Sequence, residues 1–125
     1  MKKLIYEQAT GRVFQETPEK RVLLGKGYSG FPPFTNDPSA QTLKQRGPIP
    51  RGSFRVHRPF DHSRLGRMVM FLEPLKETEM FGRSGFFIHG DNAFANQTAS
   101  HGCIVLALAT RSRVAECAPC LLDVI

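Results

Sequence analysis

The sequence predicts a mostly β single domain with one short helix near its C-terminus. The chain has 125 residues, and at roughly 150 residues per domain this leaves no material for a second unit, so residues 1–125 are read as one. Eleven glycines and nine prolines punctuate the chain too often for long helices and suit short strands joined by turns. Between those turns lie apolar runs of a few residues, some alternating in sidedness as half-buried strands do.

Taken in order, residues 3–8 and 12–16 read as a hairpin around Thr10-Gly11. Val22, Leu23 and Leu24 open another extended stretch that Gly25, Gly27 and Gly30 interrupt. Residues 31–45 form a polar loop with Pro32, Pro33 and Pro38. A second hard turn follows at Gly47-Pro48-Ile49-Pro50-Arg51-Gly52, because each proline fixes φ and drives its predecessor out of the helical region. Phe54 and Val56 alternate within residues 53–57, while residues 68–72 and 85–89 are denser apolar runs suited to central strands. Thr110 is the expected cap of a helix running to about Cys117 and ended by Pro119, and residues 121–125 return as a final strand.

Hydrophobic residues at 41% and charged residues at 22% exclude a disordered chain. A chain of this size buries about two-thirds of its unfolded surface, enough for a core without metal or disulfide staples. The net charge of +6 attracts polyanions, whether nucleic acid, anionic lipid or an acidic polymer. The basic residues are scattered, as in Lys20/Arg21, Arg51/Arg55/Arg58 and Arg64/Arg67, and form no dense tail of the kind that marks nucleic-acid binding. No apolar run approaches the roughly 18 residues of a membrane span. Glu7 falls where a secretory signal needs an unbroken apolar stretch, so no signal peptide is expected. Three cysteines, Cys103, Cys117 and Cys120, cannot all pair within one chain.

The stretch that carries chemistry runs from Gly85 to Leu106. It sets His89 at the end of one apolar strand and Cys103, fourteen positions later, at the start of another. Strand ends are rigid, which is what catalytic side chains require. A cysteine attacks as thiolate, and a nearby imidazole can take its proton and return it to a leaving amine. Gly102 permits a tight turn that aims the backbone amides of Gly102 and Cys103 at one point, where an oxyanion could form. Ser100 is placed to hold that turn through backbone bonds.

His89-Gly90 followed by Ser100-His101-Gly102-Cys103 resembles the signature of the L,D-transpeptidases, the YkuD-type catalytic domain. Gly27-Tyr28-Ser29-Gly30, the Gly47–Gly52 turn and Phe81-Gly82-Arg83-Ser84-Gly85-Phe86 resemble a divergent branch that includes type VI secretion effectors. The resemblance implies an L,D-transpeptidase-like β-rich domain acting on peptidoglycan stem tetrapeptides without a cofactor. It implies that Cys103 attacks the carbonyl of the third stem residue and that His89 is the base, oriented by the carbonyl of Gly90. The amides of His101, Gly102 and Cys103 would form the oxyanion hole. His101, Ser100, Arg83, Tyr28 and Asp91 would contact substrate. Val105 stands where many members carry an arginine, and Arg83 and Arg111 are the candidates to replace it. The same resemblance implies export by a secretion apparatus, action in the periplasm or cell wall, and a cognate immunity protein as partner.

Other readings stay open at this level. His89, Asp91, His101 and Cys103 are residue types that suit zinc, and three of them with a water would make a hydrolase. Cys117-Ala118-Pro119-Cys120 has redox spacing, but it sits at a helix end, where no helix N-terminus would activate a thiol. Tyr28, Phe31 and Phe34 with Arg51, Arg55 and Arg58 could clamp a single-stranded nucleic acid. A non-catalytic basic module that binds murein or nucleic acid is the remaining alternative.

Overall fold

Alternating apolar residues decide which face of each strand turns inward, and they do so in most strands of this chain. The computed structural model describes residues 3–125. The expected hairpin is present as β1 (Lys3–Tyr6) and β2 (Arg12–Glu16). It turns at Gly11, whose φ of 79° favours glycine. Next come β3 (Arg21–Lys26), β4 (Tyr28–Ser29) and a 3₁₀ turn at Pro38–Ala40 capped by the Asp37 carboxylate. The remaining elements are β5 (Gly52–Val56), β6 (Phe60–His62), β7 (Gly66–Pro74), β8 (Phe87–His89), β9 (Ile104–Val105), α1 (Leu108–Ala115) and β10 (Cys120–Val124).

The described residues form a ten-stranded sheet in the order β3-β2-β1-β10-β5-β7-β8-β9-β4, with β6 paired to β7 beside that path. Leu4, Phe54, Met70, Leu72, Ile88, Ile104 and Leu122 are all buried on the inward face and form one cluster. Each contributes roughly 1.5–3 kcal/mol by leaving water. The dense runs at 68–72 and 85–89 do become interior strands of the sheet, as expected.

The helix starts earlier than the sequence suggested. Ala107, not Thr110, occupies the N-cap position and makes no side-chain cap bond. Thr110 lies inside the helix, 8% exposed, packed so close to Gly25 that a Cβ there would meet its hydroxyl at 2.3 Å. Val114 carries α1 into the core cluster. β4 and β6, only two and three residues long, lie between prolines and glycines and show no periodicity to read. No helix among the described residues is long and apolar enough to cross a membrane.

The outward face positions the chemistry. Phe54 and Val56, Met70 and Leu72, and Ile88 point to the core, so Arg55, Phe71 and Glu73, and Phe87 and His89 share the opposite face. β8 and β9 are parallel, with Ile88 beside Ile104 and His89 beside Val105. Cys103, one residue before β9, therefore falls on the His89 face, level with Phe87.

Candidate active site

Cys103 is half-buried, and its Sγ lies 3.8 Å from the carbonyl oxygen of Gly85. A cavity of about 270 Å³ opens over it, lined among others by His101, Arg83, Gln45 and Gly85. Burial pushes the thiol pKa up, while the Phe87 backbone amide and the Arg83 guanidinium pull the other way and do not overcome it. At neutral pH the sulfur is therefore a thiol.

His89 has the properties of a neutral base. Its side chain is buried, and Nδ1 sits 2.8 Å from the Gly90 carbonyl oxygen. Nδ1–H therefore donates to that oxygen, and Nε2 keeps its lone pair. Burial lowers the imidazole pKa; the Gly90 bond opposes this and the Arg111 guanidinium adds to it. Arg111 approaches so closely that a Cβ on Gly90 would meet its Nη1 at 2.6 Å. His89 and Cys103 stand diagonally across the β8–β9 pair, and no hydrogen bond joins the sulfur to either imidazole. His89 faces a second cavity, about 200 Å³, shared with Arg64, Gly90 and Asp91.

The turn between them is set by Ser100. Its side chain is completely buried, and Oγ accepts from the amides of Gly30 at 2.9 Å and Gly102 at 3.0 Å. Its hydroxyl donates to the Cys103 carbonyl. Two sequence expectations change here. Ser100 supports the turn and presents nothing to a ligand. The Gly102 amide, expected to face an oxyanion, instead donates to Ser100. Gly102 itself has φ 139°, and a Cβ on it would come 2.6 Å from Arg83 Nη2 and 2.7 Å from the Phe86 ring. Only glycine fits.

Arg83 also departs from the expected substrate contact. It is 7% exposed. Nη1 donates to the carbonyls of Gln41 (2.6 Å) and Pro48 (2.7 Å), and Nη2 to those of Gly47 (2.8 Å) and His101 (3.4 Å). The guanidinium ties the 41–48 loop to the turn before Cys103 and adds positive potential beside the sulfur. Arg111 is buried too, donating to the carbonyls of Leu106, Met68 and Arg67. All four terminal N–H groups of Arg83 are spent on carbonyls, and Arg111 is only 7% exposed.

His101 does line the Cys103 cavity. It stacks on Phe31 at 4.9 Å and 7°, with Nδ1 3.0 Å from the Gln45 carbonyl oxygen. Tyr28 and Asp91 bond each other at 2.7 Å, and the Tyr28 hydroxyl also accepts from the Ala99 amide. Together they clamp the loop after His89. Burial and the Asp91 bond push the Tyr28 pKa up to about 12. The sequence offered Phe31 only as part of a nucleic-acid clamp and Phe87 only as a strand residue, and neither signal pointed to this site; Phe31 in fact stacks on His101.

Among the described residues no three His, Cys, Asp or Glu side chains converge as metal ligands, so the zinc reading loses its ligand set. Cys117 and Cys120 pack against the core. Burial, with Cys117 beside it, pushes the Cys120 pKa up to about 11, the opposite of an activated redox thiol.

Fold and site together define a β-rich domain that presents a buried neutral histidine and a cysteine on one sheet face. The chain belongs to the Tlde1 domain family, whose profile matches residues 25–117, and this is a family of type VI secretion effector domains. No curated protein and no solved structure matches the chain.

Proposed function

We propose that this effector domain is a cysteine acyltransferase of the L,D-transpeptidase and L,D-carboxypeptidase type, acting on peptidoglycan stem tetrapeptides in the periplasm of a target cell. The observation that carries the reading is the tautomer of His89. A buried imidazole, its Nδ1–H fixed by the Gly90 carbonyl, offers a neutral Nε2 on the face that also bears Cys103.

In this reading Nε2 takes the thiol proton, and the thiolate adds to the carbonyl carbon of the third stem residue. The resulting oxyanion accepts hydrogen bonds from the Cys103 and His101 amides. Collapse breaks the bond to the terminal D-alanine, whose nitrogen receives the proton from His89, and leaves a thioester on Cys103. Water as acceptor completes carboxypeptidase action, and an amine completes transfer. His101 supports substrate from the cavity wall, and a cognate immunity protein would have this cavity to block.

Mass spectrometry of disaccharide-tetrapeptide incubated with the protein tests the reading. The expected result is loss or exchange of the terminal D-alanine, abolished by Cys103→Ala. His89→Ala should cost nearly as much, because members of one catalytic unit fail together, and His101→Ala less. An unchanged substrate with folded wild-type protein refutes the function, and His101→Ala as the more damaging change reassigns the base.

A further inference from the structure

A row of rings runs from Cys103 across the outward sheet face, and neither the core nor the acyl-transfer chemistry uses it. Phe87 is level with the sulfur. Phe71 pairs with Phe87 across β7 and β8, ring centroids 5.4 Å apart. His57 lies 5.5 Å beyond Phe71, and its Nε2 meets the Glu73 carboxylate at 2.8 Å. From β6, Phe60 and His62 stand 6.4 and 5.6 Å from Phe87. Phe60 is 43% exposed, and the other four rings are in part reached by solvent or bound against one another.

We infer that this row is a saccharide-stacking subsite that holds the sugar rings of the glycan from which the stem peptide hangs. The inference rests on the function proposed above and extends it from the peptide to the glycan. Three interstrand steps of about 4.8 Å lead from Cys103 over β8 and β7 to β5, a span of about 14 Å. Three extended stem residues reach about 10–11 Å. A stem acylated at its third residue and laid over Phe87 thus spans two of these steps and brings its sugar to Phe71 and Phe60, with His57 5.5 Å beyond Phe71 at the far edge of the sugar ring.

Chemistry favours the same occupant. A neutral sugar ring offers polarised C–H groups to the negative faces of aromatic rings, and its hydroxyls can bond the His57–Glu73 pair. A protein partner fits less well, because a stable interface needs about 800 Å² per side. Five partly covered rings offer only a fraction of that.

The test compares free tetrapeptide with disaccharide-tetrapeptide, by turnover with the wild type and by calorimetric binding to Cys103→Ala protein. The expected preference for the disaccharide form is about tenfold, the scale of one good stacking contact. Phe60→Ala, at an exposed position, and separately His57→Ala should bring the ratio to about one, with free-tetrapeptide turnover and melting temperature retained. Equal turnover of both substrates by the wild type, or variants that hurt both alike, overturns the subsite and leaves the acyl-transfer reading standing. Turnover of neither substrate by folded wild type overturns that reading and the subsite with it. An unchanged ratio accompanied by wild-type dimerisation that Phe60→Ala abolishes gives the row to a second copy and overturns the inference.

Discussion

Replacing Ser100 with alanine removes an atom that makes three of the hydrogen bonds holding the turn before Cys103. Its Oγ accepts from two buried amides, those of Gly30 and Gly102, and donates to the Cys103 carbonyl. An unsatisfied buried polar group costs about 1–3 kcal/mol. With two stranded amides and some relaxation, Ser100→Ala should lose about 3 kcal/mol. A domain of this size shifts by roughly 3–5 °C per kcal/mol, so the melting temperature should fall by about 10 °C. Calorimetry measures that drop. Amide hydrogen exchange locates it, since the Gly30 and Gly102 protons should be the ones whose protection falls most. Turnover should fall as well, because the Cys103 and His101 amides lose their fixed direction. A variant that melts within about 1 °C of wild type with both amides still protected would refute this account of the turn.

Two further outcomes follow from the electrostatics. Because burial raises the Cys103 pKa, its alkylation by iodoacetamide should be slow at neutral pH and climb only above the ordinary thiol range; a rate already at its plateau at pH 7 would contradict the buried-thiol picture. His89 has a folded pKa below its unfolded value, so as pH falls the unfolded chain takes the proton first. The stability tied to neutral His89 is complete above about pH 6.5 and is lost as pH drops from there toward the folded pKa. Urea unfolding between pH 7 and 5 should show a shallower decline for His89→Asn than for wild type, and an unchanged slope would contradict the assignment.

The features legible in the sequence are those whose signal is local. Alternation at Phe54 and Val56 and the dense runs of β7 and β8 read correctly, because burial follows directly from sidedness. His89 and Cys103 stood out because a strand end, a polar loop and a strand start are contiguous in the chain, and Gly90 only through the resemblance to the L,D-transpeptidases. Thr110 misled, since a hydroxyl residue before an apolar run looks like a cap. Its side chain instead fills the space over Gly25, a contact made across the fold.

The arginines show why the rest was hidden. A lone Arg83 in a sequence reads as a surface charge, because arginine is seldom buried unless paired. Here its partners are four backbone carbonyls from Gln41, Gly47, Pro48 and His101, and the prolines and glycines of that loop turn them inward only once the fold has closed. The same burial that conceals Arg83 decides the chemistry next to it. The guanidinium favours the Cys103 thiolate without overcoming the desolvation that opposes it, so the sulfur stays protonated at rest. In the acyl-transfer reading proposed above, a sulfur of that kind depends on a base whose lone pair is free at neutral pH, and burial beside Arg111 keeps His89 in that form. The two buried arginines thus act on opposite members of one site: Arg83 partly offsets the burial of the thiol, and Arg111 adds to the burial that keeps the imidazole neutral.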